Sequence, residues 1–177
     1  MKKQKEKGSV KSETISWIMS IAAAVAIALI LRNFVFTMIR VDGKSMLETL
    51  QNGDRLYVSR LTTRFEGYDR GDIAICVYDG ADHYCVKRVI GVPGDTVEIV
   101  EGQTYVNGEA VDETGYLTHT DKRSYGAVTL QDGEYFMMGD NRPVSRDSRD
   151  RTVGPVTEMV GKARFIIWPL SRIGGIK

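Results

Sequence analysis

Ile73-Ala74-Ile75-Cys76-Val77-Tyr78-Asp79-Gly80-Ala81-Asp82-His83-Tyr84-Cys85-Val86-Lys87-Arg88-Val89-Ile90 is an apolar run, a four-residue turn and a second apolar run. β-Branched and aromatic residues fill both arms and Asp-Gly opens the bend, so the stretch reads as a β-hairpin. Side chains alternate along a strand. A symmetric loop over 79–82 therefore sets Tyr78 against His83, Cys76 against Cys85 and Ala74 against Lys87. Cys85, Lys87 and Val89 then share one face, an apolar setting for an ammonium group. Burial disfavours the charged form and lowers a lysine pKa, by up to roughly 3–5 units, and a neutral amine can take a proton from a hydroxyl. The same placement also fits a lysine whose stem packs while its head reaches water. The facing cysteines can bridge only if the register holds, because disulfide geometry is demanding.

Outward from this hairpin the same pattern repeats. Residues 35–41, 55–58, 96–100, 104–106, 128–130, 135–138 and 159–168 read as short strands. Turn signals at Asn52-Gly53, Arg70-Gly71, Pro93-Gly94-Asp95, Glu101-Gly102, Asn107-Gly108 and Asp132-Gly133 separate them. The fold class is mostly β, a barrel or sandwich-like antiparallel sheet; sheet order does not follow from these signals. Residues 112–126 are polar and turn-rich and read as a surface excursion. With 177 residues the chain has room for one ordinary domain and a smaller element. A formal net charge of +1 excludes the basic footprint of a nucleic-acid binder.

The smaller element lies at the start. Residues 15–31, ISWIMSIAAAVAIALIL, carry no charge and no proline. A spanning helix needs ~20 apolar residues; Arg32 can snorkel at one end while Trp17 suits the opposite interface. Arg32-Asn33-Phe34 follows the run instead of a small-residue cleavage site, so the segment reads as an uncleaved signal anchor. Five lysines against two glutamates precede or flank it, which places the amino terminus in the cytoplasm. The expected organisation is a basic cytoplasmic tail at 1–14, a transmembrane anchor at 15–32 and an extracytoplasmic domain at 33–177.

Two further stretches carry chemistry. Asp42-Gly43-Lys44-Ser45-Met46-Leu47-Glu48-Thr49-Leu50 puts a serine on a glycine-containing turn just beyond the anchor. Ser45 reads either as a nucleophile or as the N-cap of a capping box closed by Glu48. Gly139-Asp140-Asn141-Arg142-Pro143-Val144-Ser145-Arg146-Asp147-Ser148-Arg149-Asp150 is the densest polar stretch. It reads either as a solvated loop or as one that bonds its own backbone, with Asp147 paired to Arg149 or Arg142 and Ser145 able to orient an amine.

These segments, in this order and spacing, resemble the type I signal peptidases. The resemblance rests on Gly43-Lys44-Ser45-Met46 with Thr49-Leu50, on Lys87-Arg88-Val89-Ile90-Gly91 with Pro93-Gly94-Asp95, on the loop from Gly139 to Arg149, and on Val160-Gly161-Lys162-Ala163 with Trp168-Pro169-Leu170. It implies a membrane-bound serine endopeptidase with Ser45 as nucleophile and Lys87 as general base. It further implies that Ser145 positions the lysine, that Asp147 and Arg149 form a structural pair beneath the site, and that Asp140 and Arg142 belong to the same supporting loop. The Ser45 N–H would serve the oxyanion hole, and Gly43, a serine in some members, offers no hydroxyl. Glu48 stands where the family usually has proline. A carboxylate facing Lys87 would oppose its deprotonation, so Glu48 is expected to point away. The absence of a long insertion resembles the short Gram-positive form.

The implied substrates are signal-peptide-bearing preproteins with small residues in an Ala-x-Ala pattern, met at a lipid bilayer against which Phe34, Phe36, Trp168 and Leu170 could rest. Ile39, Val41, Met46, Leu50 and Val86 (or Cys85) are candidate pocket walls. No cofactor, nucleic acid or obligate protein partner is expected, nor a metal, since Cys76, His83 and Cys85 lack a fourth ligand. The competing readings are a Ser-His-Asp hydrolase through His83 or His119, an autoproteolytic repressor, and a catalytically impaired, membrane-tethered binding protein suggested by Glu48.

Overall fold

The structure, a computed structural model, describes residues 4–34, 36–78 and 83–176. The chain divides into two compact units, residues 1–36 and 37–177. The first is one helix, α1 (Gln4–Phe34), whose side chains are described over 13–29. Ile15, Trp17, Ile18, Met19, Ile21, Val25, Ile27 and Leu29 are all exposed along it. The expected anchor at 15–32 runs past Leu29 into residues whose side chains lie outside the described set. Among the described residues no helix is long and apolar enough to cross a membrane.

The second unit is mostly β. In chain order it contains β1 (Phe36–Arg40), β2 (Arg55–Ser59), α2 (Leu61–Glu66), β3 (Ile73–Val77), β4 (Cys85–Gly91), β5 (Thr96–Val100), β6 (Gln103–Val106), β7 (Glu109–Ala110), β8 (Tyr125–Thr129), β9 (Phe136–Met138), β10 (Glu158–Trp168) and β11 (Gly174–Gly175). One sheet runs β1-β2-β10-β3-β4-β9 with β11 on β10; the other runs β7-β6-β5-β8. Every pair with a described register is antiparallel. The β3–β4 register pairs Cys76 with Cys85, Ala74 with Lys87 and Ile73 with Arg88, as the symmetric loop predicts; the loop itself, 79–82, lies outside the described residues. Both cysteines are free thiols.

Alternation explains the core. Leu56 and Val58 of β2 join Ile39, Val41, Ile73, Ile75, Ala163 and Ile166 in one cluster, and Met46 and Leu50 of the serine turn are buried in it. A second cluster joins Val97, Ile99 and Val106 of the smaller sheet to Ile90, Phe136 and Met138. β4 is buried on both faces over its last five residues, so Lys87 and Arg88 are carried into the interior on opposite sides. One alternative is not realised and one expectation needs correction. Residues 45–50 form turns, not a capped helix. Residues 112–126 are not a plain surface excursion. Glu113 is buried, and this segment reaches the polar loop through a parallel bridge from His119 to Asn141.

Candidate active site

Three stretches of chain meet at Ser45. β1 delivers the serine turn, which the burial of Met46 and Leu50 holds down; the Leu50 N–H donates to Met46 O at 2.8 Å. β4 delivers Lys87, only 5% exposed, and its Nζ lies 2.6 Å from Ser45 Oγ. Burial pushes the lysine pKa below its ordinary value of 10.5. The thiols of Cys85 and Cys76 and the Asp147 carboxylate oppose that shift, and Arg149 favours it. Glu48 is exposed and makes no hydrogen bond or ion pair among the described residues.

The polar loop closes the site from below. Gly139 passes so near the serine turn that a Cβ on it would lie 2.5 Å from Ser45 O and 2.3 Å from Ser145 Oγ. The Asn141 N–H donates to Ser45 O at 3.0 Å. Ser145 Oγ is buried without a hydrogen-bond partner, so the expected bond from Ser145 to Lys87 is not made in this structure. Burial raises the Asp147 pKa, but hydrogen bonds from Arg149 and the Gly139 N–H outweigh it and hold the carboxyl below its usual 3.8; Ser145 stands close enough to add to this without the alignment of a hydrogen bond.

Of the two partners expected for Asp147, the structure has Arg149, and Asp140 and Arg142 pair outside the loop. Asp147 pairs with Arg149, whose Nε and Nη2 each donate to the carboxylate at 2.8 Å. Asp140 and Arg142, in contrast, reach apart. Asp140 accepts two bonds from Arg88 on β4, at 2.9 and 2.7 Å, and a third from Thr49 Oγ1 at 2.6 Å. Arg142 forms a buried pair with Glu113, and Arg149 also reaches Asp121 at 3.0 Å. Arg88 further lies 3.9 Å from the Tyr116 ring centroid. Thr49, Glu113, Asp121 and Tyr116 were therefore missed as supports. Thr49 lay in the serine turn without an assigned role, and the other three sit in the polar excursion at 112–126, which contributes nothing to strand periodicity.

A cavity of about 450 Å³ opens beside the pair. Ser45, Lys87, Cys85, Tyr78, Asn141 and Val144 are among its walls, and His83 also lines it. Ile39, Val41, Met46 and Leu50 do not line it, nor does Val86: the first four are buried together in the adjacent cluster and Val86 packs against it. His119 is not among the cavity walls, and its Nδ1 lies 2.8 Å from Thr118 Oγ1. The arrangement sets a serine hydroxyl in contact with a buried amine, beside a cavity, which is the pairing that amine-activated nucleophilic chemistry requires.

A family model described as signal peptidase, peptidase S26, matches residues 14–168. Signal peptidase I S of Bacillus subtilis is 41% identical over 182 residues, covering 95% of this chain and 96% of that protein. Signal peptidase IB of Staphylococcus aureus is 36% identical over 180 residues, covering 92% and 93%. A solved signal peptidase I from Enterococcus faecalis gives a TM-score of 0.43 at 25% identity, over 62% of this chain and 96% of that one.

Proposed function

We infer the reaction from what the chain is: it belongs to the signal peptidase family, peptidase S26, and is a serine peptidase. Its substrates are then preproteins that carry signal peptides, cut after small residues in an Ala-x-Ala pattern. The observation that carries the reading is the 2.6 Å contact between a buried Lys87 Nζ and Ser45 Oγ.

In the proposed mechanism, neutral Lys87 accepts the Ser45 proton as Oγ attacks the scissile carbonyl carbon. The Ser45 N–H stabilises the oxyanion that forms. The protonated lysine then gives its proton to the leaving amine; Lys87, neutral again, deprotonates a water that attacks the acyl-enzyme, and returns that proton to Ser45 Oγ as the signal peptide is released. Burial, the main cause of the lowered lysine pKa, keeps the base neutral. Asp147 and Arg149 hold the loop that carries Ser145, and Asp140 and Arg142 tie this loop to β4 and to residue 113. Exposure of Glu48 supports the enzyme over the impaired binding protein, because its carboxylate makes no contact with the lysine.

The uncharged run at 15–31 and the all-round exposure of apolar side chains on α1 support a single membrane anchor. The amino terminus then lies in the cytoplasm and the β-rich unit outside the membrane. Trp168 and Leu170 are exposed on that unit and suit a bilayer surface; the side chains of Phe34 and Phe36 lie outside the described residues.

The test is processing of an Ala-x-Ala preprotein by the full chain in detergent. Wild type releases mature product, whereas Ser45→Ala and Lys87→Ala do not and His83→Ala does. Failure of wild type would sink the enzyme reading, and product from Lys87→Ala would sink the lysine base.

A further inference from the structure

The proposed reaction takes one oxyanion donor from the nucleophile's own backbone, the Ser45 N–H, and that donor works only if its peptide plane is correctly turned. The Lys44–Ser45 peptide is not among the cis bonds. It is therefore planar and trans, with its C=O and N–H pointing in opposite directions. Its carbonyl end is held. Asn141 Nδ2 donates to Lys44 O at 3.0 Å; Leu47 N–H supplies a longer contact of 3.3 Å to the same oxygen. One residue on, the Asn141 backbone N–H donates to Ser45 O at 3.0 Å. A single residue thus grips the two carbonyls that flank the nucleophile. It is 8% exposed and lines the cavity with Ser45 and Lys87.

The other side of the turn cannot supply a substitute. The Gly43 N–H is occupied by Asn52 Oδ1 at 3.0 Å. Gly43 has φ +105°, a conformation that a residue carrying a hydroxyl rarely adopts. Correct aim of the Ser45 N–H therefore matters more here than where a side chain shares the task.

We propose that Asn141 is a positioning residue for the oxyanion hole: by holding Lys44 O it fixes the peptide plane with the Ser45 N–H turned into the cavity. A hydrogen bond accepted at the carbonyl also polarises the N–H at the other end of the same amide. Asn141 Nδ2 lies on the carbonyl side of that plane, away from the oxyanion, so it acts through the Ser45 peptide and does not touch the substrate. The proposal rests on Ser45 being the nucleophile.

The experiment compares wild type, Asn141→Ala and Asn141→Leu, full length in detergent, on an Ala-x-Ala peptide. It measures kcat, KM, the pH profile and thermal unfolding. Both variants keep the backbone bond to Ser45 O and lose only the bond to Lys44 O. Loss of a whole oxyanion donor costs roughly 10²–10³ in rate, so a misaimed donor should lower kcat by about tenfold or more. KM should stay within about twofold and the acid limb of the profile should not move, because the Ser45–Lys87 contact is untouched. The proposal is overturned if kcat stays within about threefold of wild type, if the acid limb moves together with kcat, or if both variants unfold and so assign the residue to stability. A wild type that cleaves nothing would instead defeat the reading of the enzyme itself.

Discussion

Replacing Gly139 with alanine should disable catalysis while leaving a folded protein. The added Cβ would lie 2.3 Å from Ser145 Oγ, 2.7 Å from Ser145 Cβ and 2.5 Å from Ser45 O, where ordinary contact begins at 3.4 Å. Relief requires the loop and the serine turn to separate by about 1 Å, and a displacement of that size at reacting atoms costs roughly 10²-fold in rate. The Ser45–Lys87 contact, now 2.6 Å, would be stretched toward the limit of a hydrogen bond. Overpacking of this kind costs ~1–3 kcal/mol of stability, which urea denaturation would measure beside the cleavage assay. Serine 145 and the Ser45 carbonyl can be separated as causes. Ser145→Gly removes both Ser145 atoms from the clash and leaves the one with Ser45 O, so Gly139→Ala with Ser145→Gly should stay as slow as Gly139→Ala alone. A Gly139→Ala enzyme within about threefold of wild type would refute the close approach, and full recovery in the double variant would shift the cause from the nucleophile to Ser145.

Three other perturbations follow from the same geometry. The Lys87 pKa in the fold lies below 10.5, so the unfolded chain binds more protons and this residue's contribution to stability rises with pH until about 10.5. Lys87→Met should abolish cleavage, remove that slope and raise the melting temperature at neutral pH; an unchanged or lower melting temperature would contradict a buried, desolvated amine. Asp147→Asn leaves Arg149 without its closest carboxylate and should cost about 3–5 kcal/mol. Because the Asp147 pKa lies below 3.8, the carboxylate stabilises above that value and the gap to the variant should close as pH falls through the folded pKa. Whatever folded Asp147→Asn remains should show its acid limb at lower pH, since the lost charge had been raising the lysine pKa. Glu48→Gln should leave kcat/KM and the acid limb within about twofold at low salt, where a charge acting on Lys87 would be felt most.

Strand positions and the lysine's neighbours were legible because alternation and turn chemistry are local. The Asp79–Asp82 loop alone gave the facing of Ala74 and Lys87 that the β3–β4 register has. Sheet order was not legible, since β10 takes its place between β2 and β3 through pairings about a hundred residues apart. The serine turn read two ways for a related reason. Ser45-x-x-Glu48 satisfies a local capping rule, but a lysine 42 residues away captures the hydroxyl. The supports of the polar loop were harder still. Glu113 and Asp121 sit in a stretch without periodicity, and their burial is decided by Arg142 and Arg149 across the fold. The candidate pocket walls Ile39 and Leu50 are buried in the core beside the cavity, and sequence does not separate a core position from a pocket wall.

The position of β10 has a consequence for when this molecule can act. The strand that divides the sheet between β2 and β3 is residues 158–168, and the loop that grips Ser45 is residues 139–149. Both leave the ribosome after the serine and the lysine. A nascent chain that has made Ser45 and Lys87 still lacks the central strand of the sheet and the loop that bonds Lys44 O and Ser45 O. Proteolytic competence is therefore a property of the finished sheet. A peptidase built this way stays inert during its own synthesis, and becomes active when its late segments dock among earlier ones.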